Sequence, residues 1–129
     1  MTARASGAER GSAVAEFAMV AGLVVALFLG VVQVALVQHT RALVIDAAAE
    51  GARLAARADR GPDDGVARTR ELITESLSAR YADDVHASTT TRAGLPVVEV
   101  TVRAPLPVVG LLGPTGTMVV AGHALEEGR

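Results

Sequence analysis

The chain has 129 residues, enough for one domain and an anchor, and carries a formal net charge of -2. Half of its residues are hydrophobic but only 2% are aromatic, so its apolar content is Ala, Val and Leu, suited to tight helix packing. Every basic residue is Arg, and no basic face interleaved with aromatics is present, which argues against a nucleic-acid partner. The absence of Cys excludes disulfides, thiolate catalysis and Cys-based metal sites.

Residues 1–11 are small and polar, with Arg4 and Arg10 as their basic residues. Residues 17–32 then contain no polar side chain, Gln33 interrupts, and the apolar run closes at Val37. A helix over 17–37 rises about 30 Å at about 1.5 Å per residue, enough to cross the hydrocarbon core of a bilayer. This core is longer than that of a cleaved signal peptide, and no small-residue cleavage motif follows it, so the segment is expected to stay as an anchor. The short basic tail favours a cytoplasmic N-terminus and an extracytoplasmic C-terminal part.

Within the anchor, Ala18, Gly22, Ala26 and Gly30 recur every four residues. Small residues at that interval let two helix backbones approach closely in lipid, so this stripe is a candidate helix-packing surface. Chance is the competing explanation, because Ala and Gly are abundant in this chain.

Beyond the anchor, Asp46, Glu50, Arg53 and Arg57 recur at three- and four-residue spacings and share a face of a continuing helix. Leu43, Ala47, Gly51, Leu54 and Ala55 lie near the opposite face, a pattern that predicts a solvent-exposed stalk with a narrow seam of small residues. The Gly61-Pro62-Asp63-Asp64-Gly65 sequence breaks it. Helical spacing resumes over 66–82, with Val66, Leu72, Ile73, Leu77 and Tyr81 as the apolar set.

The period then changes to two. Residues 85–91 are rich in Thr and Val, residues 92–96 can turn, and Val98, Val100 and Val102 alternate with Glu99, Thr101 and Arg103 as in a half-buried strand. Residues 104–116 hold three of the five prolines and an apolar patch, and a last strand is expected over 117–125. The fold class expected is therefore α+β: a long N-terminal transmembrane helix continuing into a helical stalk, then a small helix and a two- to three-stranded antiparallel sheet. The expected segments are a leader 1–11, a transmembrane helix 12–38, a stalk 39–60 and a small domain 61–129.

The most informative stretch is Arg10-Gly11-Ser12-Ala13, followed by Glu16-Phe17 at the mouth of the apolar run. A carboxylate one turn into an apolar helix is costly unless it is paired or lies near the interface. Cleavage after Gly11 would expose the Ser12 amine at a similar depth. Glu16 of one subunit could then pair with the free amine of a neighbour and fix the axial register between helices. The simpler account is a carboxylate favourably placed near a helix N-terminus.

With these residues the chain resembles the TadE-like family of the tight-adherence (Flp) pilus system, and more broadly the type IV prepilins. The resemblance rests on Arg10-Gly11-Ser12-Ala13, on Glu16-Phe17, and on Gly51-Ala52-Arg53 in the helix beyond the membrane. Val98 to Val102, Pro105-Leu106-Pro107 and the final strand fit the family pattern less specifically. The resemblance implies a pilin-like minor component that assists assembly of a type IV pilus, processed after Gly11 by a prepilin peptidase. The partners it implies are the membrane, that peptidase, other pilins or pseudopilins, and the assembly machinery. The alternative is a single-pass envelope protein whose outer domain binds a ligand or another envelope protein.

Other candidates carry no chemistry. His39, His86 and His123 lack metal-ligand spacing. Asp63-Asp64 and Asp83-Asp84 sit in turn-like settings without the alternating oxygens of a calcium loop. Ser76 and Ser78 have no nucleophile-elbow context, and Gly110-Leu111-Leu112-Gly113 has no following Lys or Ser to cradle a phosphate. No enzyme activity, cofactor or metal is expected.

Overall fold

The computed structural model describes residues 5–107 and 116–128. Of the expected features, residues 1–4 of the leader and 108–115 of the apolar patch fall outside that range. The elements run α1 (Ala5–Ala55), α2 (Pro62–Ser76), a single 3-10 turn (Ala79–Tyr81), β1 (Asp84–Arg92), β2 (Leu95–Pro105) and β3 (Thr117–Leu125). The fold is α+β, as expected: a long apolar helix, a second short helix and a three-stranded antiparallel sheet in the order β1-β2-β3. The chain divides into two compact units, Met1–Ala35 and Leu36–Arg129.

The first unit is helical throughout its described residues, and its large apolar side chains are exposed; Phe17 is 75% exposed. In water such a surface would be unstable, because nothing removes it from solvent.

The second unit begins with α1 residues 36–55. Here the sequence pattern suggests an exposed stalk, whereas the structure buries Val44, Ala47, Ala48, Ala52 and Ala55, together with Ala56 just past the helix end. The physical reason is the sheet: its Val-rich face needs a covering layer, and small helical residues let the strands come close. Helix α2 starts at Pro62, four residues earlier than its apolar periodicity predicts. Pro62 is preorganised for a first helical turn, and the Gly61 N–H donates to Asp64 Oδ2 at 3.0 Å. Gly-Pro-Asp-Asp is therefore both a break and a helix start.

The strands pair in a simple meander. Asp84 opposes Arg103 and Arg92 opposes Leu95, while Pro105 opposes Thr117 and Val97 opposes Leu125. Ala93 (φ 51°) and Gly94 (φ 80°) make the two-residue β1–β2 turn, the left-handed pair whose twist matches the flanking strands. Alternation on β2 sends Val98, Val100, Val102 and Ala104 to the helical layer, where they meet Ile73, Tyr81, Val85, Met118 and Val120 as well as the α1 alanines.

Three glycines set the distance between layers. A Cβ on Gly122 of β3 would fall on the backbone of Ala48 and Ala49. A Cβ on Gly51 would strike Thr69 Oγ1 and come within 2.6 Å of the Gly65 carbonyl oxygen, and one on Gly65 would come within 2.8 Å of the Gly51 oxygen. Helices α1 and α2 therefore cross backbone to backbone. The buried Thr69 hydroxyl completes that crossing by donating to the Ala47 carbonyl at 3.3 Å. The C-terminal segment ties the other end of α1, where the Glu127 N–H donates to the Ala56 carbonyl at 2.7 Å. That bond satisfies one of the acceptors a helix end leaves open.

Candidate functional site

Gly11, Ser12, Glu16 and Phe17 all lie inside α1, and all four are exposed. Ser12 and Glu16 are one turn apart, so their side chains share a helix face. No atom lies within 4 Å of the position a Cβ would take on Gly7 or Gly11. The junction is thus a single helical strand of chain, held only by its own backbone bonds and weakened by two glycines, each costing about 1 kcal/mol relative to Ala.

The stripe Ala18, Gly22, Ala26 and Gly30 is exposed along its whole length. Gly22 and Gly30 meet nothing within 4 Å. Around the lower part of the stripe the helix surface forms a shallow depression lined by Ala26, Leu27, Gly30, Val31, Val34 and Ala35. The chain itself supplies no partner for this face among the described residues.

The three histidines do not converge. His86 lies 2.8 Å from Asp84, His123 lies on the outer face of the sheet, and His39 is exposed on α1. Among the described residues, no group of three potential ligands comes together.

A polar cluster escaped the sequence reading. On the sheet face turned away from the helices, Arg92 of β1, Glu99 of β2 and His123 of β3 meet. Arg92 donates to Glu99 Oε2 at 3.1 Å, and His123 Nε2 lies 2.5 Å from the same oxygen. Glu99 and His123 are direct cross-strand partners, while Arg92 reaches along the face from the turn. Only the register brings these residues together. Their role is to clip three strands, each exposed pair contributing a few tenths of a kcal/mol to about 1 kcal/mol.

The fold and this junction define a class: a small α+β protein whose N-terminal helix is long and apolar enough to cross a membrane once. Residues 11–53 match the model of the TadE family, described as TadE-like protein. The matched stretch, about a third of the chain, opens at Gly11 and closes at Arg53, so it holds Glu16-Phe17, Gly51-Ala52-Arg53 and all of the first motif but Arg10. No curated protein and no solved structure matches the chain.

Proposed function

We propose that the chain is a pilin-like minor component assisting assembly of a Flp (tight-adherence) type IV pilus, cleaved after Gly11 by a prepilin peptidase. Its N-terminus is cytoplasmic, residues 12–38 cross the membrane, and the domain beyond lies outside. The observation that carries this reading is the family match over residues 11–53, which includes Gly11, Ser12, Glu16 and Phe17. The exposed junction supports it, because a peptidase needs an extended substrate. Unwinding the turn at Gly11 disturbs no tertiary contact of that glycine.

After cleavage, the Ser12 amine and a neighbour's Glu16 carboxylate form the pair that sets the axial register. The stripe Ala18, Gly22, Ala26 and Gly30 packs against another anchor, that of a second pilin or pseudopilin. The chain's part is structural, and no bond is made or broken by its own side chains.

N-terminal sequencing of the membrane-extracted protein from its native host tests the scheme. The expected mature chain starts at Ser12; recovery of an intact tail refutes processing and favours a plain envelope-binding protein. Glu16→Ala is expected to leave cleavage in place while reducing piliation. Full piliation in that variant refutes the pairing.

A further inference from the structure

The arginines of the second unit divide by position. Arg53, Arg57, Arg60, Arg68 and Arg92 each lie within 4 Å of a carboxylate. Arg41, Arg80 and Arg103 lie in no such pair among the described residues; Arg70, midway along α2, is the fourth without one.

The three named first share one end of the unit. Strand β3 runs alongside α1 in the same sense, since Gly122 packs on Ala48 and Glu127 bonds to Ala56. Its start, Thr117, therefore lies toward residue 36. Helix α2 runs the opposite way: Gly65 meets Gly51, and Ser76 shares a groove with Leu43. The turn after α2, with Arg80, lies toward the same end. There Arg80, Arg103 and Thr117 line one open cleft of about 580 Å³, together with Asp83 and Asp84. The apolar run of the sequence closes at Val37, within this unit and at this end, which is where a bilayer surface would stand.

Arg80 donates to the Tyr81 hydroxyl at 2.8 Å and lies 4.8 Å from that ring's centroid, so a neutral phenol orients it, with no carboxylate within 4 Å among the described residues. Arg103 sits opposite Asp84 in the strand register; Asp84 Oδ1 lies 2.8 Å from His86 Nε2 but makes no hydrogen bond among the described residues. Asp83 is exposed at the rim of the cleft.

We propose that Arg80 and Arg103, with exposed Arg41 at the same end, bind the phosphate headgroups of anionic phospholipids and hold the domain against the membrane surface. The proposal rests on the anchoring reading above. Guanidinium matches phosphate in bidentate geometry, and each basic group near an anionic surface strengthens association roughly five-fold at low salt.

The test uses the full chain in nanodiscs of phosphatidylcholine with a minority of phosphatidylglycerol, reading by mass spectrometry the lipid retained on extraction. Wild type is expected to enrich phosphatidylglycerol several-fold over the bulk ratio. Arg80→Gln with Arg103→Gln is expected to lose most of that enrichment, Arg80→Lys with Arg103→Lys to keep much of it, and Arg57→Gln with Arg60→Gln to leave it unchanged. Absence of enrichment in wild type, or equal loss in the Arg57/Arg60 control, overturns the proposal. Displacement by inorganic phosphate beyond that by chloride of equal ionic strength overturns it in favour of a free-anion site. Insertion without enrichment refutes this proposal alone, whereas failure to insert refutes the anchoring reading with it.

Discussion

Two parts of the same helix use glycine for opposite ends. Gly22 and Gly30, in the apolar half of α1, face open space within the chain. Gly51 and its counterparts Gly65 and Gly122 are buried where a single methyl group has no room. The residue type is the same, and what differs is whether the partner surface belongs to the same polypeptide. In the domain the close approach is already made, and its stabilisation belongs to the fold. In the apolar half of the helix, the room for such an approach is left unfilled by the described residues, and the proposed occupant is a second helix in the bilayer.

Substitutions at these positions would break the comparison if both sets behaved alike. The largest effect is expected at Gly122→Ala, because the added methyl meets main-chain atoms of Ala48 and Ala49 that cannot rotate away. A loss of about 3 kcal/mol or more is expected, at the upper end for overpacking, and thermal unfolding followed by circular dichroism in detergent would read it as a large fall in Tm. Next is Gly51→Ala, where one obstacle is the Thr69 side chain and the other the Gly65 carbonyl. The hydroxyl can turn aside but the carbonyl cannot, so about 1–3 kcal/mol is expected in the same assay. A Tm unchanged by Gly51→Ala would mean that the helices do not cross at this distance.

Gly30→Leu sharpens the contrast from the other side. A Cβ added there meets nothing within 4 Å among the described residues, so the stability of the isolated protein is expected to stay within about 0.5 kcal/mol of wild type. Self-association in a membrane two-hybrid assay is expected to fall about three- to thirty-fold, the range of helix contacts worth roughly 0.6–2 kcal/mol in lipid. Gly22→Leu should behave in the same way, and unchanged association in both variants would remove the stripe from the assembly scheme.

How much of this could be read beforehand follows from the range of the interaction involved. The last strand, 117–125, and the turn around Gly94 were legible, because alternation and turn chemistry act over a few residues. The membrane-length apolar run was legible for the same reason. The pattern over 39–60 predicts an exposed stalk because the burial of its helical part depends on a sheet that begins only at Asp84, well after α1 ends at Ala55. The seam named from periodicity included Ala47, Gly51 and Ala55, all buried, but passed over Val44, Ala48 and Ala52, which the sheet also covers. Nothing local marks Thr69 either, because the carbonyl that its hydroxyl meets belongs to Ala47 of α1, 22 residues away. The junction at Gly11 was legible as a motif only: the processing and pairing proposed for it involve a peptidase and a neighbouring subunit, which no intrachain contact encodes.

The smallest expected effect bears on the motif near the end of α1. In Gly51-Ala52-Arg53, the first two residues are buried against the domain, while Arg53 turns outward and bonds Glu50 Oε2 at 3.0 Å. Both members of that pair are well exposed, so Arg53→Ala is expected to cost less than about 0.5 kcal/mol of stability. The motif thus splits into a packing element and a surface charge. If Arg53→Ala leaves the Tm in place yet lowers piliation, the arginine contacts another component of the assembly; if it lowers both in proportion, the pair with Glu50 holds the end of α1 more firmly than its exposure implies. Measuring Tm and piliation on the same variant separates the two, because a surface pair screened by water cannot account for a large loss of assembly on its own.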